Sequence, residues 1–253
     1  MPHQQTNKPW SRWMVAAAAT FVIASSHSEE AKRDLIVFNT RAQVTVDAEG
    51  HATAVKVAPD LPEPIAQFVQ QQVAQWRFQA PVIDGQARGG QTWLSLGACA
   101  VPVAQGYQLA VEYKGSGPAP ARTDGLLIPP RYPSAAARQG IEMDATVTFV
   151  VQPDGRAELE SIDYGNNKSQ RRTFEPGLKE WVAAMRYEPE RVDDQPVRTR
   201  MNILVTYRTG DIPRGSRERA AELKSECQAA LREGDQRRPI ALDSPFKRLE
   251  TGG

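Results

Sequence analysis

The chain is short of the side chains that carry chemistry. Only 3 histidines occur in 253 residues, and two of them, His3 and His27, lie in or beside an N-terminal apolar segment. No HExxH, CxxC, nucleophile-elbow or phosphate-loop pattern is present. That leaves no triad and no zinc cluster to build a catalytic centre from, so the protein is not expected to be an enzyme and neither a cofactor nor a metal is expected. His51 follows a turn and reads as a solvated loop residue. Asp193 and Asp194 read as a polar turn before a strand rather than as a cation site. An excess of one charge is lacking too. The formal net charge is +1, and removing the first 26 residues with Lys8 and Arg12 leaves the remainder close to neutral. The pairs Arg171–Arg172 and Arg237–Arg238 read as solvated charge, so nucleic acid is not an expected partner. Long hydrophobic runs are absent as well. The run Trp13–Ala24 holds 12 residues, where crossing a bilayer core takes about 20.

That run has a direction of its own. Lys8 and Arg12 precede it, and the small residues Ala24, Ser25 and Ser26 follow. A basic start, a short apolar stretch and a small-residue exit read as a secretory signal over residues 1–26, with a short membrane anchor as the alternative. Export gives meaning to the cysteine count. Cys99 and Cys227 are the only two, an even number in an oxidising compartment, and they are candidates for one structural disulfide; two free thiols are the other reading. A loop of that length would gain on the order of 4–5 kcal/mol in the chain-entropy estimate. The remaining composition, 40% hydrophobic and 24% charged, is that of a globular protein.

What the chain does have is an internal echo. "WRFQAP" at 76–81 and "MRYEPE" at 185–190 each place Arg and an aromatic at the end of an amphipathic run. Before the second, "DATVTFVVQ" alternates at Ala145, Val147 and Phe149, "PDG" at 153–155 is a turn, and "RAELESIDYG" returns as a hairpin arm. Phe174, Leu178, Trp181, Val182 and Met185 then share a helical face, and "VRTRMNILVTYR" closes as a strand. The first half has the same order. "AQVTVDAEG" and "HATAVKVAP" make the hairpin. Ile65, Phe68, Val69, Val73 and Trp76 make the helical face, and "QTWLSLG" makes the closing strand. Ile65 aligns with Phe174, Val69 with Leu178, Val73 with Val182 and Arg77 with Arg186, all offset by 109, while Gly50 and Gly155 are offset by 105. The physical unit is a three-stranded sheet with a helix over its apolar face. The Arg cation suits the negative helix C-terminus and the aromatic anchors the exit.

The second stretch resembles the C-terminal domain of TonB, the energy transducer of Gram-negative bacteria. The family's Tyr-Pro pair, small residues and Gly, hairpin with a turn Gly, and aromatic-Arg-aromatic-x-Pro helix exit are matched by Tyr132, Pro133, Gly140, Gly155, Arg186, Tyr187 and Pro189, with Trp181 on the helix. Met185 departs from the usual Trp. The first half looks like a degenerate version without the Tyr-Pro start. The resemblance implies a periplasmic location, or an inner-membrane anchor facing the periplasm, and binding rather than catalysis. An extended segment of an outer-membrane receptor would add as a strand to the sheet. The expected partner-binding strand is Arg200, Met201, Asn202, Ile203, Leu204, Val205, Thr206 and Tyr207, acting mainly through backbone groups. The alternative is self-association of such edges in a structural envelope protein. An inner-membrane motor is a partner only if the N-terminus is kept as an anchor, and no long proline-rich span is present.

The expectation is therefore an α+β protein of two tandem strand-strand-helix-strand units plus a C-terminal helix. Residues 35–114 would form the first, degenerate unit, 115–125 a linker and 126–210 the second unit. Residues 211–253 would hold the helix and tail. "YQLAVEYKG" at 107–115 reads as one more strand extending the first sheet. Ala220, Leu223, Cys227 and Leu231 make one apolar stripe on the helix, which places Cys227 to clip it to Cys99. The last residues, with Pro239 and Pro245, are expected to trail.

Overall fold

The computed structural model describes residues 36–103, 106–121, 128–209 and 239–249. In the first half β1 (Ile36–Val46) and β2 (Ala52–Val57) form a hairpin and α1 (Glu63–Ala74) follows. Two short strands, β3 (Val82–Ile83) and β4 (Gln86–Ala87), precede the long strands β5 (Gly90–Val103) and β6 (Gly106–Gly117), and β7 (Ala119–Pro120) leads onward. The second half holds α2 (Ser134–Arg138), β8 (Met143–Val151), β9 (Ala157–Asp163), a 3-10 segment over Gly165–Gln170 and α3 (Arg171–Ala184). Three short strands, β10 (Tyr187–Glu188), β11 (Arg191–Val192) and β12 (Gln195–Pro196), lead to β13 (Thr199–Tyr207), and β14 (Ile240–Ala241) lies in the C-terminal segment. The architecture is α+β. The largest sheet runs β12-β11-β5-β1-β2 with β6 also on β5, a second runs β14-β13-β8-β9, and β10-β7 and β3-β4 make two small ones.

Period-2 alternation decides which face of each sheet is covered. β8 buries Met143, Ala145, Val147, Phe149 and Val151, and β13 buries Thr199, Met201, Ile203, Val205 and Tyr207. Phe174, Leu178 and Val182 of α3 pack on that face. In the first half Ala42, Val44, Val46, Leu94 and Leu96 form the corresponding face beneath Val69 and Val73. The pairing is the same in both halves. Ala42 lies opposite Leu94 and Val46 opposite Gly90, while Val147 lies opposite Ile203 and Val151 opposite Thr199. These pairs keep the offsets of 105 and 109 read from the sequence.

The recurring Arg-aromatic phrase sits where each helix meets its hairpin. Gly50 (φ 83°) and Gly155 (φ 81°) close the two turns in the left-handed region that favours glycine. The Phe78 N–H donates to the Gly50 carbonyl at 2.8 Å, and the Tyr187 N–H donates to the Gly155 carbonyl at 2.8 Å. A Cβ on either glycine would collide with the carbonyl oxygen of Phe78 or Tyr187. The Arg186 guanidinium donates to the carbonyls of Ala183 (2.8 Å) and Met185 (2.7 Å), meeting orphan acceptors at the helix end. Phe78 and Tyr187 are both buried.

Two stretches differ from expectation. Residues 115–121, read as linker, are folded: β6 extends to Gly117, Ser116 through Ala119 are buried, and β7 pairs Pro120 with Tyr187 and Ala119 with Glu188. Residues 239–249, expected to trail, are packed as well. Phe246 is fully buried in the first-half core. The Gln79 N–H donates to the Lys247 carbonyl at 2.7 Å, and the Leu249 N–H to the Arg77 carbonyl at 2.8 Å. The Arg248 guanidinium lies 4.4 Å from the Trp76 ring centroid. The reason is non-local. One aromatic in a proline-flanked polar stretch has no periodicity, and its pocket is made by residues far away in sequence. The outcome is reciprocal: the stretch after the first half pairs with the second helix exit, and the stretch after the second half pairs with the first.

The segment 1–26, the helix expected around Cys227 and Cys227 itself lie outside the described residues. Cys99 is buried. No helix among the described residues is long and apolar enough to cross a membrane.

If Phe246 is a core residue, F246A should lower unfolding free energy by about 3–5 kcal/mol. Urea denaturation followed by tryptophan fluorescence measures this, and a loss below about 0.5 kcal/mol, the range of an ordinary surface change, would contradict the packing.

Candidate partner-binding edge

β13 is held along its full length on one side only. Its whole length pairs antiparallel with β8, from Thr199 opposite Val151 to Tyr207 opposite Met143. On the other side the Arg200 N–H donates to Asp243 Oδ1 at 2.6 Å, and the Arg200 carbonyl accepts from the Leu242 N–H at 2.7 Å. The backbone groups of Arg200 therefore point outward, and by strand alternation so do those of Asn202, Leu204 and Thr206. β14 covers the start of this edge, with Ala241 opposite Met201 and Ile240 opposite Asn202. From Ile203 onward no strand lies on the outer side among the described residues. Of the eight residues expected to bind a partner, Arg200, Met201 and Asn202 are thus already met by the chain's own C-terminal segment. Ile203, Leu204, Val205, Thr206 and Tyr207 form the open part. Leu204 and Thr206 offer two N–H and two C=O groups. At about 1 kcal/mol net per hydrogen bond that amounts to binding near the millimolar level.

The strand is firmly seated. Beneath it Tyr132, Phe174 and Tyr207 form an aromatic cluster with ring centroids 4.8 to 6.1 Å apart, and burial pushes the Tyr207 phenol up to about 12. Arg200 forms a two-pronged bond to Glu160 at 2.6 and 2.7 Å. Arg208 bonds Asp144 at 2.8 Å, which holds that carboxyl below its usual range despite partial burial.

The other motif residues build the frame rather than the edge. The Tyr132 hydroxyl donates to the Ile141 carbonyl at 2.7 Å, Pro133 starts α2 and Gly140 turns with φ 63°. The Trp181 indole donates to the Ile128 carbonyl. Gly155, Arg186 and Tyr187 make the turn-to-helix contact described above, and Pro189 bridges β10 and β11.

Residues 128–209 match the family model for the Gram-negative bacterial TonB protein C-terminal. No curated protein matches the chain. The matched stretch starts at the carbonyl that Trp181 binds and ends just beyond β13, so it takes in α2 through β13 and all eight motif residues.

Asp193 and Asp194 form the β11–β12 turn with φ of 48° and 61°, and Asp193 pairs with Arg88 at 3.3 Å. Asp47, Glu49 and His51 come together on the first hairpin turn. That grouping follows from the turn itself: the His51 N–H donates to Asp47 Oδ1 at 2.7 Å.

Sequence reasoning missed Glu190. This residue is fully buried where β11, β5 and the C-terminal segment meet. Its carboxyl accepts from Thr92 (2.6 Å), Ser244 (2.6 Å) and Thr199 (2.8 Å), one hydroxyl from each of three distant segments. Burial raises its pKa, and the three hydroxyls pull the other way. Nothing in "EPERVDD" marks it, because a glutamate beside charged neighbours reads as exposed.

The sign of the linkage follows from the raised pKa. Glu190's contribution is fully present below the unfolded value near 4.5 and is lost as pH rises through its folded value. E190Q, which carries no charge, should remove this fall. Urea midpoints of both proteins between pH 4 and pH 8 test it: parallel curves would mean that Glu190 does not titrate with folding.

Proposed function

We propose that this is a periplasmic TonB-like protein-binding module that takes an extended segment of an outer-membrane receptor as an added strand on β13. The observation that carries the reading is the outward-facing edge at Ile203–Tyr207, inside the stretch that matches the TonB C-terminal model. The reading is one of binding, not of catalysis. Residues 35–114 are, in this reading, a degenerate copy of the same unit, supported by the shared element order and register. In that copy the outer edge of β5 is filled by β6, antiparallel from Trp93 opposite Gly117 to Val103 opposite Gly106. The first half thereby supplies an example of what a full-length occupant of the β13 edge looks like. In this reading a signal over 1–26 carries the protein beyond the inner membrane, and a disulfide between Cys99 and Cys227 suits that oxidising setting. Cleavage gives a free periplasmic module, and retention gives an anchored one that can reach a motor.

Synthetic peptides of the periplasm-facing segments of the host's outer-membrane receptors, titrated into labelled protein, should shift the amide signals of Ile203–Tyr207. L204P removes one outward N–H at an edge position that tolerates proline and should weaken binding about fivefold, the equivalent of one lost bond. No shifts at millimolar peptide would reject the reading. A concentration-dependent symmetric dimer that buries β13 would instead favour the self-assembling envelope protein.

A further inference from the structure

The chain carries its own example of a β13 ligand. β14 lies on the edge antiparallel, in one defined register, with Ala241 opposite Met201 and Ile240 opposite Asn202. Three features of this resident segment are specific. The Leu242 N–H reaches the Arg200 carbonyl and the Asp243 carboxylate caps the Arg200 N–H, so an acid stands where the ladder ends. Asp243 also lies in a cleft with Arg198, Arg200 and Glu160; Arg200 is already paired with Glu160 there, which leaves Arg198 as the cation facing an added acid. Ala241 points inward onto Gly117: a Cβ built on that glycine would lie 2.7 Å from the Ala241 Cβ. The adjoining cavity, lined by Trp93, Gly117, Tyr187 and Met201, measures only about 50 Å³. Ala241 itself forms one wall of it, so the methyl packs against Gly117 and the space left beside it is too small for an aromatic ring. Ile240 and Leu242, on either side, are exposed, so those two positions are permissive.

We infer that the β13 edge selects extended peptide segments with a small residue opposite Met201 and an acid two positions later, and that such a segment replaces β14 when it binds. This rests on the reading of β13 as the partner-binding edge. Replacement follows from length: the part left open offers only Leu204 and Thr206, whereas a segment that also takes Arg200 and Asn202 doubles the ladder. The two-residue β14 is a weak incumbent held locally by the chain itself, and Phe246 beyond it keeps the tail anchored after β14 lets go.

The probe is a synthetic peptide of this chain's residues 234–244, GDQRRPIALDS. It is titrated into the full-length protein and into I240P/L242P, which removes the backbone donor of Ile240 in β14 and that of Leu242 just beyond it. The variant should bind the peptide at least tenfold tighter than the parent, with amide shifts from Arg200 to Thr206. Peptides carrying A241W or D243N should lose at least tenfold on the variant. D243A, which removes only the cap on Arg200, is the milder second variant and should bind the parent peptide a few-fold tighter. Equal binding by parent and variants, or indifference to A241W and D243N, overturns the inference. Receptor-derived peptides separate the two readings. If they bind parent and I240P/L242P alike, strand addition stands and the selection and replacement inferred here fall. If they bind neither while GDQRRPIALDS binds the variant, the receptor reading falls and the edge preference stands.

Discussion

The contact between a hairpin turn and a helix exit, made once in each half, is the constraint on which the rest of the structure depends. Gly155 can take φ 81° and let the Tyr187 backbone lie against it; any side chain there would meet the Tyr187 carbonyl. The same holds for Gly50 and Phe78. This contact fixes where the helix ends relative to the sheet, and so the direction in which residues 187–199 leave. β13 and its outward-facing edge inherit their position from it. The buried ring of Tyr187, 5.8 Å from Phe149, secures the same point from inside the core.

How much of this could be read in advance follows the range of the interactions. The helical faces Val69–Val73 and Phe174–Leu178–Val182, the alternation of β8 and β13, and the turn at Asp193–Asp194 are local patterns, and each lies where the sequence places it. The Arg-aromatic exits were visible as a recurring phrase, and Arg186 meets the helix C-terminus as its charge requires. Phe246, Glu190 and Ser116 were not visible. Each is buried by partners from two or three distant segments, and no window of sequence holds that information. The candidate edge was half visible. Its residues follow from periodicity, but which of them point backbone groups outward, and that β14 meets the first three, depends on pairing across 40 residues of chain.

An unpaired edge is a hazard that proteins manage, and the two halves manage it differently. In the first, β6 covers β5 over 11 residue pairs, from Trp93 to Val103. In the second, two residues of β14 and one carboxylate cover the start, and Arg200 and Asn202 are satisfied there. An edge closed along its full length can no longer bind. One closed only at its start leaves Ile203–Tyr207 uncovered among the described residues, which is what the proposed strand addition requires. The reciprocal tails supply that arrangement, because besides the short contact with β13 they anchor at Tyr187 and at Trp76, away from the edge.

The buried carboxyl of Glu190 fits the same logic. An uncompensated buried charge is unfavourable, and the three hydroxyls that compensate it tell what the position does. Thr92 belongs to the first half, Thr199 to the start of β13, and Ser244 to the segment between β14 and Phe246. One side chain therefore ties the base of the edge strand to the sheet behind it and to the tail that covers it. Directional bonds of this kind fix register where apolar packing alone would tolerate a slip. With Ser244 held on one side of Asp243 and Phe246 beyond it, the tail stays in place whether or not Ile240 and Ala241 are on the ladder. The proposed exchange of the cover therefore does not require the two halves to come apart.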